Sequence, residues 1–224
     1  MNKYFTLLLL LSFLNIFGQK ASGEITYKVT RTFVDMGLNA DVTATNQKIN
    51  QQLFKIFFNK SYSNFTIVEQ MADENVDGFY NILAKIIVSN YDYYYDYSNN
   101  KLLELDRDGT LLEQELQILP WLITTDTKII DKYQCYKATY TFEYLARDQK
   151  IKERTATAWF APSLPYPYGP KNYFGLPGLI LELNENDITF LVSKIEFSDV
   201  EIEIKLPKQK RIEKASFEKK LKNR

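Results

Sequence analysis

The sequence has no histidine and a single cysteine, Cys135. Without histidine, Ser-His-Asp and Cys-His nucleophile arrangements are excluded as usually built. Zinc sites of the common Cys/His kinds are excluded with them. One cysteine cannot close an internal disulfide, so Cys135 is expected to be a buried, inert thiol. Neither charge is in excess: 28 Lys plus Arg face 28 Asp plus Glu. That balance leaves no electrostatic footprint for nucleic acid or for an anionic membrane surface. After the N-terminal segment there is no second apolar span, no heptad run and no internal repeat.

What remains is ordinary globular material rich in aromatics. Hydrophobic residues make up 45% and charged residues 25% of the 224, enough to bury a core. Tyr and Phe number 16 and 15, which favours pleated, half-buried surfaces. Met1 to Gln19 carries Lys3, then an apolar run from Phe5 to Phe17, then Gly18. This pattern reads as a cleavable signal peptide, cut after Gly18 or Gln19. The alternative is an uncleaved anchor helix. No cysteine stands directly after the run, so a lipid anchor on cysteine is not expected. The expected organisation is a signal peptide (1–19), a single β domain (20–207) and a basic C-terminal tail (208–224).

Along the mature chain, Glu24 to Val34 alternates as a first strand. Asp35 to Gln52 is polar, and its pattern fits either a loop or a short helix. Leu53–Phe58 and Ser61–Val68 read as a hairpin around Asn59-Lys60, followed by an acidic loop from Met71 to Gly78. Phe79–Ser89, Tyr91–Tyr97, Lys101–Asp106 and Thr110–Leu116 read as a meander with turns at Asn99-Asn100 and Asp108-Gly109. Lys128–Ile130 leads to a long strand, Gln134–Tyr144, which pairs with Ile151–Phe160. Leu179–Leu183 and Ile188–Phe197 form another hairpin, and Glu201–Leu206 (EIEIKL) is a last alternating strand. Lys208 to Arg224 reads as a solvated tail or a short helix. The fold class expected is mainly β, a curved antiparallel sheet of half-barrel or sandwich type with little helix.

Ala161 to Gly178 breaks this regularity with Pro162, Pro165, Pro167, Pro170 and Pro177. Proline removes ladder donors, so the segment cannot be a central strand. Within Trp159 to Glu182 stands Gly175-Leu176-Pro177-Gly178-Leu179-Ile180. Here the chain resembles the GLPGLI family of exported proteins from Bacteroidetes-type bacteria. Trp121, Lys128-Ile129-Ile130, and Cys135 with Lys137-Ala138 resemble further elements of that family. Lys132 departs from it, since glycine is the expected residue there. The resemblance implies an exported protein without assigned catalytic residues. A looser similarity of fold implies a curved sheet around an apolar cavity, as in periplasmic carriers of the LolA/LolB kind.

Pro177 and Gly178 suit a type II turn. Trp159, Tyr166, Tyr168, Tyr173 and Phe174 are spaced to cover an apolar surface. The segment is then either a plug on the sheet's core or a loop lining a ligand cavity or docking face. In a strand, Tyr91, Tyr93, Tyr95 and Tyr97 share one face, either as ligand contacts or as a half-buried surface. Tyr93 and Tyr95 join the loop aromatics as the candidate ligand-binding set. Asp106, Asp108 and Glu182 read as solvated acids rather than a glycosidase pair. Asp73, Glu74 and Asp77 lack EF-hand spacing, and no metal or cofactor is expected.

Three functional readings follow. The first is a non-enzymatic envelope protein that carries a lipid or other apolar ligand in a cavity of the curved sheet. The second is an interaction module for an outer-membrane protein complex, with a solid core and an exposed apolar patch near the Pro-Tyr-Gly-Pro loop. The third, an enzyme, requires a polar cleft with perturbed acids.

Overall fold

A computed structural model describes residues 22–32, 40–69, 77–146 and 150–222. The signal-peptide segment, Asp73 and Glu74 lie outside these residues. One mixed sheet of twelve strands dominates: β1 (Ser22–Arg31), β2 (Leu53–Phe58), β3 (Tyr62–Ile67), β4 (Tyr91–Asp96), β5 (Lys101–Asp106) and β6 (Leu111–Glu115), then β7 (Leu122–Ile130), β8 (Tyr133–Leu145), β9 (Ile151–Ala161), β10 (Leu179–Glu185), β11 (Ile188–Ser198) and β12 (Arg211–Glu213). Among the described residues three helices accompany it: α1 (Ala40–Gln51), α2 (Asp77–Val88) and α3 (Lys214–Lys222). The spatial order is β12-β6-β5-β4-β3-β2-β1-β11-β10-β9-β8-β7. Every pairing is antiparallel except β12 with β6.

Chain connectivity forces this sheet to curl. Ten strand spacings separate β6 from β7, roughly 48 Å if the sheet were flat. Yet β6 and β7 are consecutive, and seven Cα steps from Glu115 to Leu122 reach at most about 25 Å. The sheet therefore bends into an open half-barrel, and Leu116–Trp121 bridges its open side. The curved antiparallel sheet expected from the sequence is what forms, with twelve strands and no closure into a barrel.

Turn chemistry explains most reversals. At β2–β3 the Asn59 side-chain oxygen accepts from the amides of Ser61 and Tyr62. At β4–β5 Asp96 accepts from the amide and side chain of Asn99, and Asn100 takes φ 56°. At β7–β8 the left-handed residue is Asp131, φ 54°, and not Lys132. A lysine at position 132, where glycine is expected, is thus accommodated.

Two strand expectations need correction, and two segments left open between loop or tail and short helix prove to hold helices. Phe79–Ser89 is not a strand but most of α2. Its β-branched residues imitate a buried strand, yet buried Ala84 and Val88 lie four apart, and half-buried Tyr80, Leu83 and Ile87 recur at helical spacing. The polar stretch before β2 forms α1, which buries Ile49 and packs against both α2 and β1. Glu201–Leu206 has the alternating exposure of a strand but joins no ladder. The basic segment after it supplies β12 at the sheet edge, and then α3.

Candidate functional site

The irregular segment after β9 turns back into the concave side of the sheet. Leu164, Tyr166, Tyr173, Phe174 and Leu176 are all buried there. Tyr166 and Tyr168 pack at a tilt against Phe58 with ring centroids 5.1 and 4.9 Å away. Phe174 packs edge-on against Tyr95, and Tyr97 lies against Tyr168. Of the tyrosine stripe, Tyr93 and Tyr95 are therefore core, Tyr95 and Tyr97 lie against the loop, and Tyr91 is half-buried. Burial raises the Tyr95 phenol well above its usual range and that of Tyr168 to about 12, so both act as neutral hydroxyls.

A buried loop must satisfy its backbone. Proline helps because each one removes a donor. The remaining amides find carbonyls nearby: Leu179 to Leu164, Gly175 to Pro167, Tyr173 to Pro170, and Ile180 to Tyr168. A register shift in β10 between Ile180 and Glu182 opens the ladder, and the Tyr27 hydroxyl donates to the Ile180 carbonyl at 2.7 Å. The motif's turn is not type II. The Gly178 amide donates to Leu176, a three-residue turn about Pro177, while Leu179 reaches away to Leu164. Glycine is required at two places by close approach. A Cβ on Gly178 would strike the Ala161 carbonyl, and one on Gly169 would strike the Tyr173 carbonyl and the Ile180 side chain.

Three polar ties fix the loop. Tyr95 donates its hydroxyl to the Lys171 carbonyl at 2.8 Å. The Lys171 ammonium pairs with Glu185 at 2.8 Å, and Arg154 approaches the same carboxylate at 3.4 Å. Trp121, in the bridge from β6, donates its indole N–H to the Phe174 carbonyl at 2.9 Å. Burial alone would raise the Glu185 carboxyl, but Lys171 and Arg154 hold it below its usual range. Lys171 itself sits at φ 54°, an unfavourable backbone state for lysine that these contacts maintain.

Among the described residues, the space between Tyr95, Tyr97, Tyr168 and Phe174 does not admit a water molecule. Burying the five fully sequestered loop side chains is worth on the order of 10 kcal/mol before ordering costs. That is comparable with the whole stability of a domain. The loop is accordingly a structural plug rather than a lid. Trp159 stands apart from it. It lies on the opposite face of β9 from Phe160, beside Glu182, with the Lys128 ammonium 4.4 Å from the ring centroid. Lys128 also pairs with Glu182 at 2.7 Å, and Cys135, directly across from Lys128, is fully buried.

A different surface offers accessible apolar area. α1 and α2 enclose an open groove of about 410 Å³ walled by Val42, Thr45, Phe79, Leu83 and Ile87. The Tyr80 hydroxyl donates to Asp41 at 2.6 Å at its rim. Phe79, Ile82 and Ile86 of α2 are 68, 61 and 51% exposed, a stripe of large apolar side chains in water. The sequence concealed this site because the segment reads as a strand. A further cleft of about 480 Å³ beside α3 is polar; of the four acids that line it, Glu115 pairs with Lys101 and Glu113 with Arg211.

Comparison with known proteins centres on the plug. A family model described as a protein of unknown function (Porph_ging) matches residues 145–182, from the end of β8 through the loop into β10. The match supports a relationship of Bacteroidetes type for this segment. No curated protein matches the chain. Among solved structures, two crystal forms of PNGF-II are similar, with TM-scores of 0.53 and 0.52 at 13 and 14% identity. They cover 88 and 89% of this chain, which spans 32% of the length of PNGF-II. LprF from Mycobacterium bovis aligns over 79% of this chain and 86% of its own at 9% identity, with a TM-score of 0.29. At such identities the PNGF-II likeness concerns the fold alone.

Proposed function

We propose that this is an exported, non-enzymatic envelope protein of the GLPGLI type that binds an apolar or amphipathic ligand, such as a lipid acyl chain. The binding site is the α1–α2 groove rather than the interior of the curved sheet, which the plug occupies. The observation that carries this reading is the groove itself, about 410 Å³, lined mostly by apolar side chains including Val42, Phe79, Leu83 and Ile87, with Arg31 and Asp41 as its charged members. Its size falls within the range of small-ligand sites, roughly 300–1,000 Å³. The non-enzymatic reading is supported by Glu185, whose carboxylate is committed to Lys171 and Arg154; Asp92, the other perturbed buried acid, lies 3.3 Å from Arg107, but its Oδ1 accepts no hydrogen bond. Export rests on the Met1–Gln19 pattern.

The test is titration of the mature protein, residues 20–224, with a fluorescent fatty-acid analogue. Saturable binding that falls at least tenfold in the groove-filling variant Val42→Trp/Leu83→Trp, but not in the remote surface variant Ile129→Glu, supports the site. No saturable binding by the unaltered protein sinks it. Ile82 and Ile86 project outside the groove and favour a second reading, docking to an outer-membrane protein. On that reading, Ile82→Glu/Ile86→Glu releases the protein from the outer-membrane fraction while ligand binding is unchanged.

A further inference from the structure

Residues 199–210 cross one end of the half-barrel, from β11 beside β1 to β12 beside β6. Within this crossing the Glu201–Leu206 side chains alternate between exposed and half-buried, the signature of an extended backbone. Ile202, Ile204 and Leu206 turn toward the protein, while Glu201, Glu203 and Lys205 face water. Glu203 and Lys205 pair with each other at 3.5 Å within the chain, their side chains 77 and 79% exposed, so the pair is free to exchange for the same pair across two copies. Among the described residues no main-chain hydrogen bond joins this stretch to another strand. One main-chain group is occupied: the Ile202 carbonyl accepts from the Asn59 side chain at 2.9 Å. Main-chain groups of successive residues in an extended chain point to opposite edges. The edge of Ile202 is thus turned to the body of the protein, and the opposite edge presents the N–H and C=O groups of Glu201, Glu203 and Lys205.

We infer that this free edge pairs with the same segment of a second copy, forming an antiparallel two-stranded ribbon about a two-fold axis at Ile204. The sequence is self-complementary in that register. Glu203 faces Lys205 of the second copy, and Lys205 faces its Glu203. The same two pairs exchange main-chain hydrogen bonds on the free edge. Ile202 lies opposite Leu206, and Ile204 opposite its own equivalent. Glu201 faces Pro207, which has no N–H, so the ladder ends there. A one-residue slip would set Glu203 against Leu206 and lose the charge match. A ribbon of two strands alone is marginal in water, but each strand here already rests on a folded body through its Ile and Leu side chains.

The experiment is sedimentation equilibrium of the mature protein over a concentration series, with charge variants. The expected result is a monomer–dimer equilibrium. Glu203→Lys places Lys opposite Lys twice and abolishes the dimer; Glu203→Lys/Lys205→Glu restores it. Ile204→Cys gives a disulfide-linked dimer on oxidation, because directly opposed residues of a non-hydrogen-bonded pair lie about 4.5 Å apart at Cα. Val200→Cys, although more exposed, does not. A protein monomeric at its highest soluble concentration overturns the inference. So does a dimer unaffected by Glu203→Lys, which would place the contact elsewhere, the α2 stripe included. Failure here leaves the groove reading standing, because the two surfaces share no residue.

Discussion

Trp121 donates its indole N–H to the main-chain carbonyl of Phe174, 2.9 Å away, and so ties the bridge across the open side of the sheet to the plug within it. Its ring also lies 5.8 Å from Tyr140 and 6.0 Å from Tyr173, centroid to centroid. Trp121→Phe keeps an aromatic ring but strands a carbonyl in the interior. The expected cost is about 1–3 kcal/mol. Trp121→Ala also loses the ring contacts and should cost about 3 kcal/mol or more. Urea unfolding measures both. A lower midpoint with an unchanged m-value is expected, and a midpoint for Trp121→Phe equal to that of the unaltered protein would show that the bond adds nothing.

Glycine-to-alanine changes should have opposite signs at two positions. At Gly169 a methyl group meets the Tyr173 carbonyl and the Ile180 side chain in a sealed interior. The plug must shift, and a loss of about 1–3 kcal/mol is expected. At Gly78, in the first turn of α2, nothing lies within 4 Å of an added Cβ. There alanine restricts the unfolded chain and suits the helix, so a gain of about 0.4–1 kcal/mol is expected. Thermal melts of the two variants side by side test this, and a destabilised Gly78→Ala would contradict the placement of α2.

Most of the sheet was readable because its strands alternate. β8 and β9 keep a two-residue period over long spans, and Tyr91–Tyr97 showed its face directly. The plug's aromatic residues were readable as a cover, but not which surface they cover. That depends on the curl, and the curl follows from a short bridge between strands ten places apart in the sheet. Trp159 was grouped with them by proximity, although the strand period already sets it opposite Phe160. α2 was misread because Ile86, Ile87 and Val88 look like a buried strand, whereas on the helix only Ile87 and Val88 turn inward and Ile86 stays exposed. The Lys171–Glu185 clamp left no local signal, since the partners meet only when the β10–β11 hairpin end and the loop converge. The groove was hidden for the same reason as α2.

The clamp should register in acid. The Glu185 carboxyl is raised by burial but held below its ordinary value of 4.5 by the larger combined pull of Lys171 and Arg154. A carboxyl whose folded-state pKa is depressed stabilises the fold fully above its unfolded value. That contribution fades as pH falls from about 4.5 through the folded value. Glu185→Gln removes it. The melting temperature of the variant should lie below that of the unaltered protein near neutral pH, and the two should converge below about pH 4.5. Asp92, which burial raises, is present in both proteins and cancels from the difference. A gap that stays constant with pH would show that the clamp acts by packing rather than by charge.

The buried acid of β5 makes a sharper case at the sheet edge. Glu104 is 3% exposed and is held by Lys214 of α3 at 2.7 Å and by Gln114 at 2.8 Å. Removing a partner from a buried ion pair costs about 3–5 kcal/mol, whereas replacing both by apolar groups is often neutral. Lys214→Met should therefore destabilise the protein, and Glu104→Leu/Lys214→Met should recover most of the loss. The single variant has one escape. If α3 and β12 swing away from β6, water reaches the carboxylate and the cost is capped at that of undocking the edge. Hydrogen exchange separates the outcomes. Loss of protection confined to Arg211–Lys222 signals undocking, while loss that spreads through β5 and β6 signals a stranded charge weakening the sheet itself. Full stability of Lys214→Met with α3 still protected would mean that Gln114 alone satisfies Glu104, and the ion pair would then have no part in holding the C-terminal segment to the sheet.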